Sequence, residues 1–171
     1  MTNYNTWEEA AASVLGSIEW ETRTHPKPEG DDPLRPIEQY ISAWVLGMQD
    51  GTRNFDDQEK HSVTLLIVRA GVIALHEIAS QGIPYRNAGM LDLLIRKQHD
   101  YGHDNINNFG TIGIAIRVCD KIARIRNLRE RGSTGTAEPL QDAFLDLVGY
   151  ATIAQMYHHG WFQLPLGKDA R

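Results

Sequence analysis

Apolar residues recur three and four positions apart along most of the chain, and no stretch shows a convincing strand-like alternation of apolar and polar residues. The pattern predicts a helix after Thr6, which suits an N-cap, and further helices over residues 37–48, 57–80, 88–99, 111–131 and 139–157. The segment 57–80 is the longest and most apolar, so we expect it at the centre of a bundle. The sequence therefore predicts an all-α fold, a single-domain bundle of about five to six helices.

Prolines and glycines mark the connections between these helices. Residues 24–36 hold four of the seven prolines, which predicts an extended connector. We therefore divide the chain into an N-terminal helix with its Pro-rich connector, residues 1–36, and a helical bundle, residues 37–171. Residues 101–110 are predicted to form a polar loop, and Pro139 stands at the first position of the last helix. In the tail after Gly160, Trp161 and Phe162 suit docking on the body of the protein or on another subunit.

Composition narrows the classes of protein that fit this pattern. The chain has 171 residues and a formal net charge of −5, which speaks against a general nucleic-acid coat and against a polybasic membrane-surface protein. Its one cysteine, Cys119, excludes an intramolecular disulfide and a cysteine-cluster metal site. Charged residues interrupt the most apolar stretch, and the N-terminus lacks a secretory signal pattern, so we expect a cytoplasmic protein without a membrane partner.

Positive charge is concentrated in the middle of the chain. Residues 86–131 contain nine Lys or Arg residues against five acids, although the chain as a whole is acidic. A cationic segment of this size suits a small anionic ligand better than a nucleic-acid polymer. Alternatively, these cationic residues simply form the solvent-exposed surface of helices.

Polar residues of the predicted helix 111–131 occupy one arc of its surface. At 100° per residue, Arg117, Asp120, Lys121, Arg124 and Asn127 fall within an arc of about 120°. This arc borders the apolar stripe that must face the core, so the charges are expected at the lip of a crevice between helices. Arg and Lys side chains in such a crevice suit phosphate oxygens. The apolar stripe consists of Ile114, Val118, Ile122 and Ile125.

Two aspartates on the last predicted helix complete the candidate crevice. Asp142 and Asp146 are four residues apart, so they share one face of the helix, where like charges repel each other. A bound Mg²⁺ would neutralise them, because Mg²⁺ accepts one or two protein carboxylates and fills its other positions with water and phosphate oxygens. The alternative is structural: the same aspartates would bond Arg117 or Arg124 on the adjacent helix.

Three blocks of polar and glycine residues follow one another in the second half of the chain. In order they are Lys97 with Asp100-Tyr101-Gly102, then Arg117 with Asp120-Lys121, Ala123-Arg124 and Asn127-Leu128, then Glu138, Asp142, Asp146 and Gly149-Tyr150. This ordered set resembles the nucleotide modification associated domain 1 family over roughly residues 88–157. That family is common in bacteriophages and often occurs near enzymes of deoxynucleotide metabolism. The resemblance implies a phage-type protein that works in an infected bacterial host.

The two acid-bearing helices also resemble, more distantly, the all-α nucleoside triphosphate pyrophosphatases of the MazG and dimeric dUTPase type. Those enzymes hold Mg²⁺ with a Glu-x-x-Glu helix and a Glu-x-x-Asp helix, and they cleave between the α and β phosphates. This chain departs from that pattern, because its first helix offers Asp120 amid cations and its second offers Asp142 and Asp146. Fewer acids and more cations favour one metal ion or plain nucleotide binding over hydrolysis by several metal ions.

Three functions remain open on these residues. The first is a protein that binds and hydrolyses a (deoxy)nucleoside polyphosphate, in which Asp120, Asp142 and Asp146 hold Mg²⁺ and act in catalysis. The second captures a nucleotide or a nucleotide signal without turnover, and the third is a structural or adaptor bundle. For the first two we expect a homo-oligomer, because a second copy often completes such a crevice. The predicted nucleotide-binding residues are Lys97, Tyr101, Asn105, Arg117, Lys121, Arg124, Asn127 and Tyr150.

Overall fold

A computed structural model describes residues 3–53, 55–131 and 137–167, with the backbone alone for residues 137–139. The helices in these ranges are α1 (Trp7–Thr24), α2 (Arg35–Gln49), α3 (Asp57–Ser80), α4 (Asn87–Tyr101), α5 (Asp104–Asn107), α6 (Gly110–Glu130) and α7 (Ala137–His158), followed by a 3₁₀ turn (Trp161–Gln163). No strand occurs among the described residues, so the all-α prediction is confirmed. The helix count exceeds the predicted five to six because the single turn α5 forms inside the segment predicted as a loop.

Helices α3 and α7 form the most extensive helix–helix contact of the bundle. They approach closely at Gly71, where a Cβ atom would lie 2.5 Å from the Cβ of Ala151. Residues on all sides of α3 are buried, among them Ile67, Ile73 and Ile78, which confirms its predicted central position. The longest apolar segment is thus the axis around which the other helices pack.

The remaining helices surround this central pair. α1 packs against α3, α4 and α7, while α2 packs against α6 and α3, and α6 also packs along α7. The large side chains of Trp44 and Phe144 are fully buried in the resulting core. The buried apolar face of α6 includes Ile114, Val118 and Ile122, as its predicted apolar stripe requires.

Side chains at the helix starts explain two of the boundaries. Thr6 Oγ1 accepts a hydrogen bond from the Glu9 backbone N–H at 3.3 Å, so Thr6 is the N-cap of α1 as predicted. Asp56 caps α3 in the same way, accepting from the Glu59 backbone N–H at 2.8 Å. α2 begins at Arg35, before the predicted start at residue 37, because Pro36 is tolerated in the first turn of a helix.

The segment after α7 folds back onto α1. The backbone N–H of Trp7 donates to the Pro165 carbonyl at 2.9 Å, and the backbone N–H of Gly167 donates to the Glu8 carboxylate at 2.9 Å. Phe162 is buried in the core, and the ring of Trp161 meets Tyr4 edge-on at 4.8 Å. We predicted that this tail docks on the body of the protein or on another subunit, and in the structure it docks on the body.

α3 is long and apolar enough to cross a membrane by length and composition alone. In the structure, however, 67% of its most apolar stretch is buried inside the bundle, as in the core helix of a folded domain. Glu77 interrupts the apolar sequence and is itself buried, where Lys27 Nζ lies 2.9 Å and Arg129 Nη2 lies 3.0 Å from its carboxylate. Paired in this way, the buried charge is compatible with a protein core.

Candidate functional site

A cavity of about 460 Å³ opens between α4, α6 and α7. Trp7 of α1 and Phe162 of the 3₁₀ turn contribute to its wall, so the docked C-terminal segment helps to shape it. Small-molecule sites in proteins typically measure about 300–1,000 Å³. We refer to this space, with its lining residues, as the α4–α7 cavity.

Helical periodicity brings the lining residues to one place. Met90, Leu94, Lys97 and Tyr101 follow one another at intervals of three or four along α4, so they lie on one face of that helix. The same spacing puts the α7 residues of the cavity on one face. These residues are Asp146, Gly149, Tyr150 and Ile153.

Two glycines of the predicted blocks have definable roles at the cavity. Gly102 ends α4 with φ +64°, a left-handed conformation that other residues rarely adopt, and so turns the chain into α5. At Gly149, a Cβ atom would lie 3.1 Å from Met90 Cε and 3.4 Å from Leu94 Cδ2. The absence of a side chain at Gly149 therefore lets α7 approach α4 closely.

A three-membered charge network crosses the cavity. Lys97 Nζ of α4 donates to Asp146 Oδ1 of α7 at 3.1 Å, and Lys121 Nζ of α6 lies 3.1 Å from Asp146 Oδ2. The Lys97 side chain is 47% exposed, whereas the Lys121 side chain is only 19% exposed. The structural alternative named Arg117 or Arg124 as partners for the aspartates, and in the structure the cations that pair with Asp146 are these two lysines.

Three exposed polar residues lie at the mouth of the cavity. Arg117 Nη2 donates to Asn105 Oδ1 at 3.1 Å, which joins α6 to the turn α5. Tyr101, Arg117 and Asn105 are exposed, so they lie at the mouth, and Tyr150 is partly buried. Seven of the eleven predicted site residues thus line one cavity: Lys97, Tyr101, Asn105, Arg117, Lys121, Asp146 and Tyr150.

The inner end of the cavity is lined by residues that our sequence reasoning did not select. Most are buried and apolar: Met90, Leu94, Ile106 and Phe162. Gln98 and Trp7 are buried there as well, at 7% and 1% exposure. The sequence does contain a signal for Gln98. It lies four residues after Leu94 and eight after Met90, so it shares their buried face of α4, where an apolar residue is expected.

Four predicted residues lie outside the lining of this cavity, and three of them share a second surface. Asp120, Arg124 and Asn127 line a separate depression on α6, together with Leu128 and Arg131. The helical arc explains the division. Lys121 and Arg117 lie on the side of the arc nearest the apolar stripe and face the cavity, whereas the other three lie further around the helix. The predicted single polar crevice is therefore two neighbouring surfaces.

The three predicted metal ligands are not brought together. Asp146 lies in the cavity between two ammonium groups, Asp120 lines the depression on α6, and Asp142 is exposed one turn before Asp146. Within the described ranges, no group of three or more His, Cys, Asp or Glu residues has a geometry that holds a metal ion. The predicted three-aspartate Mg²⁺ site does not fit this arrangement. Lys121 contacts Asp146, and Asp120, its neighbour along α6, points about 100° away from Lys121.

One family model matches part of the chain. Residues 97–157 match the family model described as nucleotide modification associated domain 1, which covers just over a third of the chain. The match includes the end of α4, the whole of α6 and nearly all of α7, and with them the Lys97–Asp146–Lys121 network. No curated protein and no solved structure matches the chain.

The match confirms the predicted resemblance for residues 97–157, a slightly shorter range than the predicted 88–157. The part of the cavity contributed by Trp7, Met90 and Leu94 lies outside the matched range. The more distant resemblance to MazG-type pyrophosphatases has no support among these comparisons and stays a prediction.

Proposed function

We propose that the protein binds a (deoxy)nucleoside polyphosphate in the α4–α7 cavity and that cationic side chains, rather than a carboxylate-bound metal ion, hold its phosphates. The observation that carries this proposal is the convergence of Lys97 and Lys121, from two different helices, on Asp146 at 3.1 Å each. The match to a nucleotide modification associated domain supports a nucleotide as the ligand class.

The charge of the cavity favours an anion. Lys97, Arg117 and Lys121 contribute three positive charges against the one negative charge of Asp146, which gives a formal charge of +2 in a molecule of net charge −5. Charged groups of one sign in a concave site attract a ligand of the opposite sign. Phosphate oxygens would bind these side chains through charge-assisted hydrogen bonds, which are stronger than neutral ones.

The arrangement of the aspartates favours binding of a nucleotide without turnover over Mg²⁺-dependent hydrolysis. The described aspartates form no metal-ligating cluster, and Asp146 already accepts from Lys97 and contacts Lys121. Its role in this proposal is to neutralise part of the charge of the two ammonium groups, and the excess positive charge of the cavity attracts the phosphates.

Calorimetric titration with the four dNTPs, in buffer containing EDTA, tests this proposal. We expect binding by the wild-type protein, and we expect the double substitution Lys97→Met with Lys121→Met to weaken it by at least about 100-fold, because two charge-assisted contacts are lost. Lys60→Met is the matched control, since Lys60 is a partly exposed lysine of α3 that contacts Asp57. We expect this control to bind like the wild type.

The alternative functions give different results in the same experiments. Release of pyrophosphate from a dNTP only when Mg²⁺ is present would contradict our proposal and favour the pyrophosphatase. Absence of binding to every dNTP and to cyclic dinucleotides would favour the adaptor bundle. A thermal shift adds an independent readout, because a ligand at 100 times its Kd adds about 2.7 kcal/mol to the free energy of unfolding.

A further inference from the structure

The one-turn helix α5 lies between α6 and the C-terminal segment, residues 159–167. Asn105 and Asn107 are two residues apart, which is about 200° around a helical turn, so their side chains point to opposite sides of α5. Asn105 Oδ1 accepts a hydrogen bond from Arg117 Nη2 of α6 at 3.1 Å. On the other side, the amide groups of Asn107 and Gln163 exchange two hydrogen bonds, at 2.6 and 3.2 Å. α5 therefore connects the C-terminal segment to a cation of the cavity.

Side-chain contacts, rather than the neighbouring helices, fix the position of α5. The chain changes direction on both sides of this turn, at Gly102 with φ +64° and at Gly110 with φ +52°, so α5 continues neither α4 nor α6. Ile106 anchors it from below, since this side chain is buried in the cavity wall. The C-terminal segment adds a further contact besides the amide pair, because His103 Nε2 lies 3.3 Å from the Leu164 carbonyl oxygen.

Arg117 gains from being held in this way. An arginine side chain is long and flexible, and an exposed one loses rotamer freedom when it binds a ligand. The hydrogen bond to Asn105 restricts Arg117 before a ligand binds, which lowers the entropy lost on binding. Asn105 is neutral, so it leaves the positive charge of Arg117 undiminished. The bond also occupies one of five N–H groups of the guanidinium, and the others stay available to phosphate oxygens.

We infer that the docked C-terminal segment controls the affinity of the α4–α7 cavity for phosphates. Gln163 holds Asn107, and with it the turn α5, while Asn105 of the same turn holds Arg117. Neither Gln163 nor Asn107 belongs to the lining of the cavity, so both are positioning residues that act through Arg117. This inference rests on the proposed nucleotide binding and adds its regulation, because displacement of the C-terminal segment would weaken binding.

A double-mutant cycle tests this coupling. Gln163→Met keeps the length of the side chain and removes both amide hydrogen bonds, and Arg117→Met removes the cation. Calorimetry in EDTA measures the Kd for inorganic tripolyphosphate, which carries the charge and no base, in the wild type, both single variants and the double variant. The cycle isolates the coupling between the two side chains, although they do not touch. Gln39→Met is the matched control, since Gln39 is exposed on α2 and lies outside the cavity lining.

We expect Gln163→Met to weaken the binding of tripolyphosphate about fivefold and Arg117→Met to weaken it about tenfold. The double variant should bind like Arg117→Met alone, because the amide pair acts through that arginine. Asn107→Leu should reproduce the effect of Gln163→Met, and the control should bind like the wild type. Thermal unfolding of each variant checks that its fold is retained.

A purely structural role of Gln163 gives a different pattern. The same 3₁₀ turn carries Phe162, which lines the cavity, and damage to this wall would weaken binding by the same factor with and without Arg117. Equal factors in the two backgrounds therefore overturn the inference, as does wild-type affinity in Gln163→Met or in Arg117→Met. Absence of binding to tripolyphosphate also overturns it, and absence of binding to the four dNTPs as well overturns the proposed function.

Discussion

Asp146 would have a different role in Mg²⁺-dependent hydrolysis than in nucleotide binding by cationic side chains. If it were a metal ligand, its loss would abolish function. In the structure it lies 3.1 Å from Lys97 Nζ and 3.1 Å from Lys121 Nζ, so it neutralises part of the charge that attracts phosphate. The two roles predict opposite effects for the same substitution.

We expect Asp146→Asn to increase the affinity for inorganic tripolyphosphate and for dNTPs by about fivefold in EDTA, because one negative charge leaves the cavity. The free energy of unfolding should fall by about 1 kcal/mol, since both ion pairs are partly exposed. Calorimetry and urea unfolding measure the two effects.

Asp142→Asn is the matched control for this substitution, because Asp142 is exposed one turn away and lies outside the cavity lining. It should change neither quantity. A loss of affinity in Asp146→Asn in EDTA would contradict our proposal, and a loss confined to buffer with Mg²⁺ would support the metal-ligand role.

At the scale of the helices, the spacing between α3 and α7 sets the shape of the core. Gly71 faces Ala151 and the Leu147 carbonyl oxygen, and a Cβ atom there would lie 2.5 Å from Ala151 Cβ and 3.6 Å from that oxygen. Because both contacts involve the central helix pair, little can move to make room. The cavity residues Asp146 and Gly149 lie on the same helix, α7, within one turn of this contact.

We expect Gly71→Ala to lower the free energy of unfolding by about 1–3 kcal/mol, the typical effect of overpacking a core. Gly16→Ala is the matched control, because Gly16 is exposed on α1 and a Cβ atom there would meet nothing within 4 Å. This control should raise stability by about 0.5–1 kcal/mol, since alanine favours a helix over glycine. Equal effects of the two substitutions, measured by urea unfolding, would contradict the packing argument.

Helix positions were predicted well, and the reason is local. The apolar period, the N-cap Thr6 and the proline-rich connector act within a few residues, so the sequence shows them directly. α5 was missed because a single turn, Asp104–Asn107, is too short for a periodic pattern. The division of the α6 residues between two surfaces was missed because it depends on where α7 crosses α6.

At the scale of the whole molecule, two histidines couple the stability of the fold to pH. Burial lowers the pKa of His76, assisted by the positive charge of Lys27 and opposed by the carboxylate of Glu77. Burial also lowers the pKa of His158, and its neighbours His159 and His61 act in the same direction, whereas Asp57 raises it. His158 Nε2 and His61 Nδ1 share a hydrogen bond of 3.0 Å between the end of α7 and the start of α3.

A lowered pKa in the folded state means that the unfolded chain binds protons more readily. The free energy of unfolding should therefore fall as the pH drops below about 6.5, and this contribution should be absent above about pH 7.5. The double substitution His76→Gln with His158→Gln should reduce the slope between pH 5 and 7, measured by urea unfolding at several pH values. His99→Gln, a well exposed histidine, is the control, and an unchanged slope in the double variant would contradict the assignment.

The amino-acid sequence by itself determined the helical segments, the central position of α3 and the concentration of cations between residues 86 and 131. It also determined the ordered polar blocks that match the nucleotide modification associated domain 1 family over residues 97–157. These features are visible because helical periodicity and residue order are properties of neighbouring positions along the chain.

Only the tertiary structure decided which of those polar residues share a site. The packing of α4, α6 and α7 brought Lys97, Lys121 and Asp146 together and left Asp120 on another surface. It also brought Trp7, from the first helix, and Gln98, from α4, into the lining of the same cavity. The physical reason is that the angle between residues on one helix is fixed locally, whereas the face that meets a partner depends on how distant helices pack.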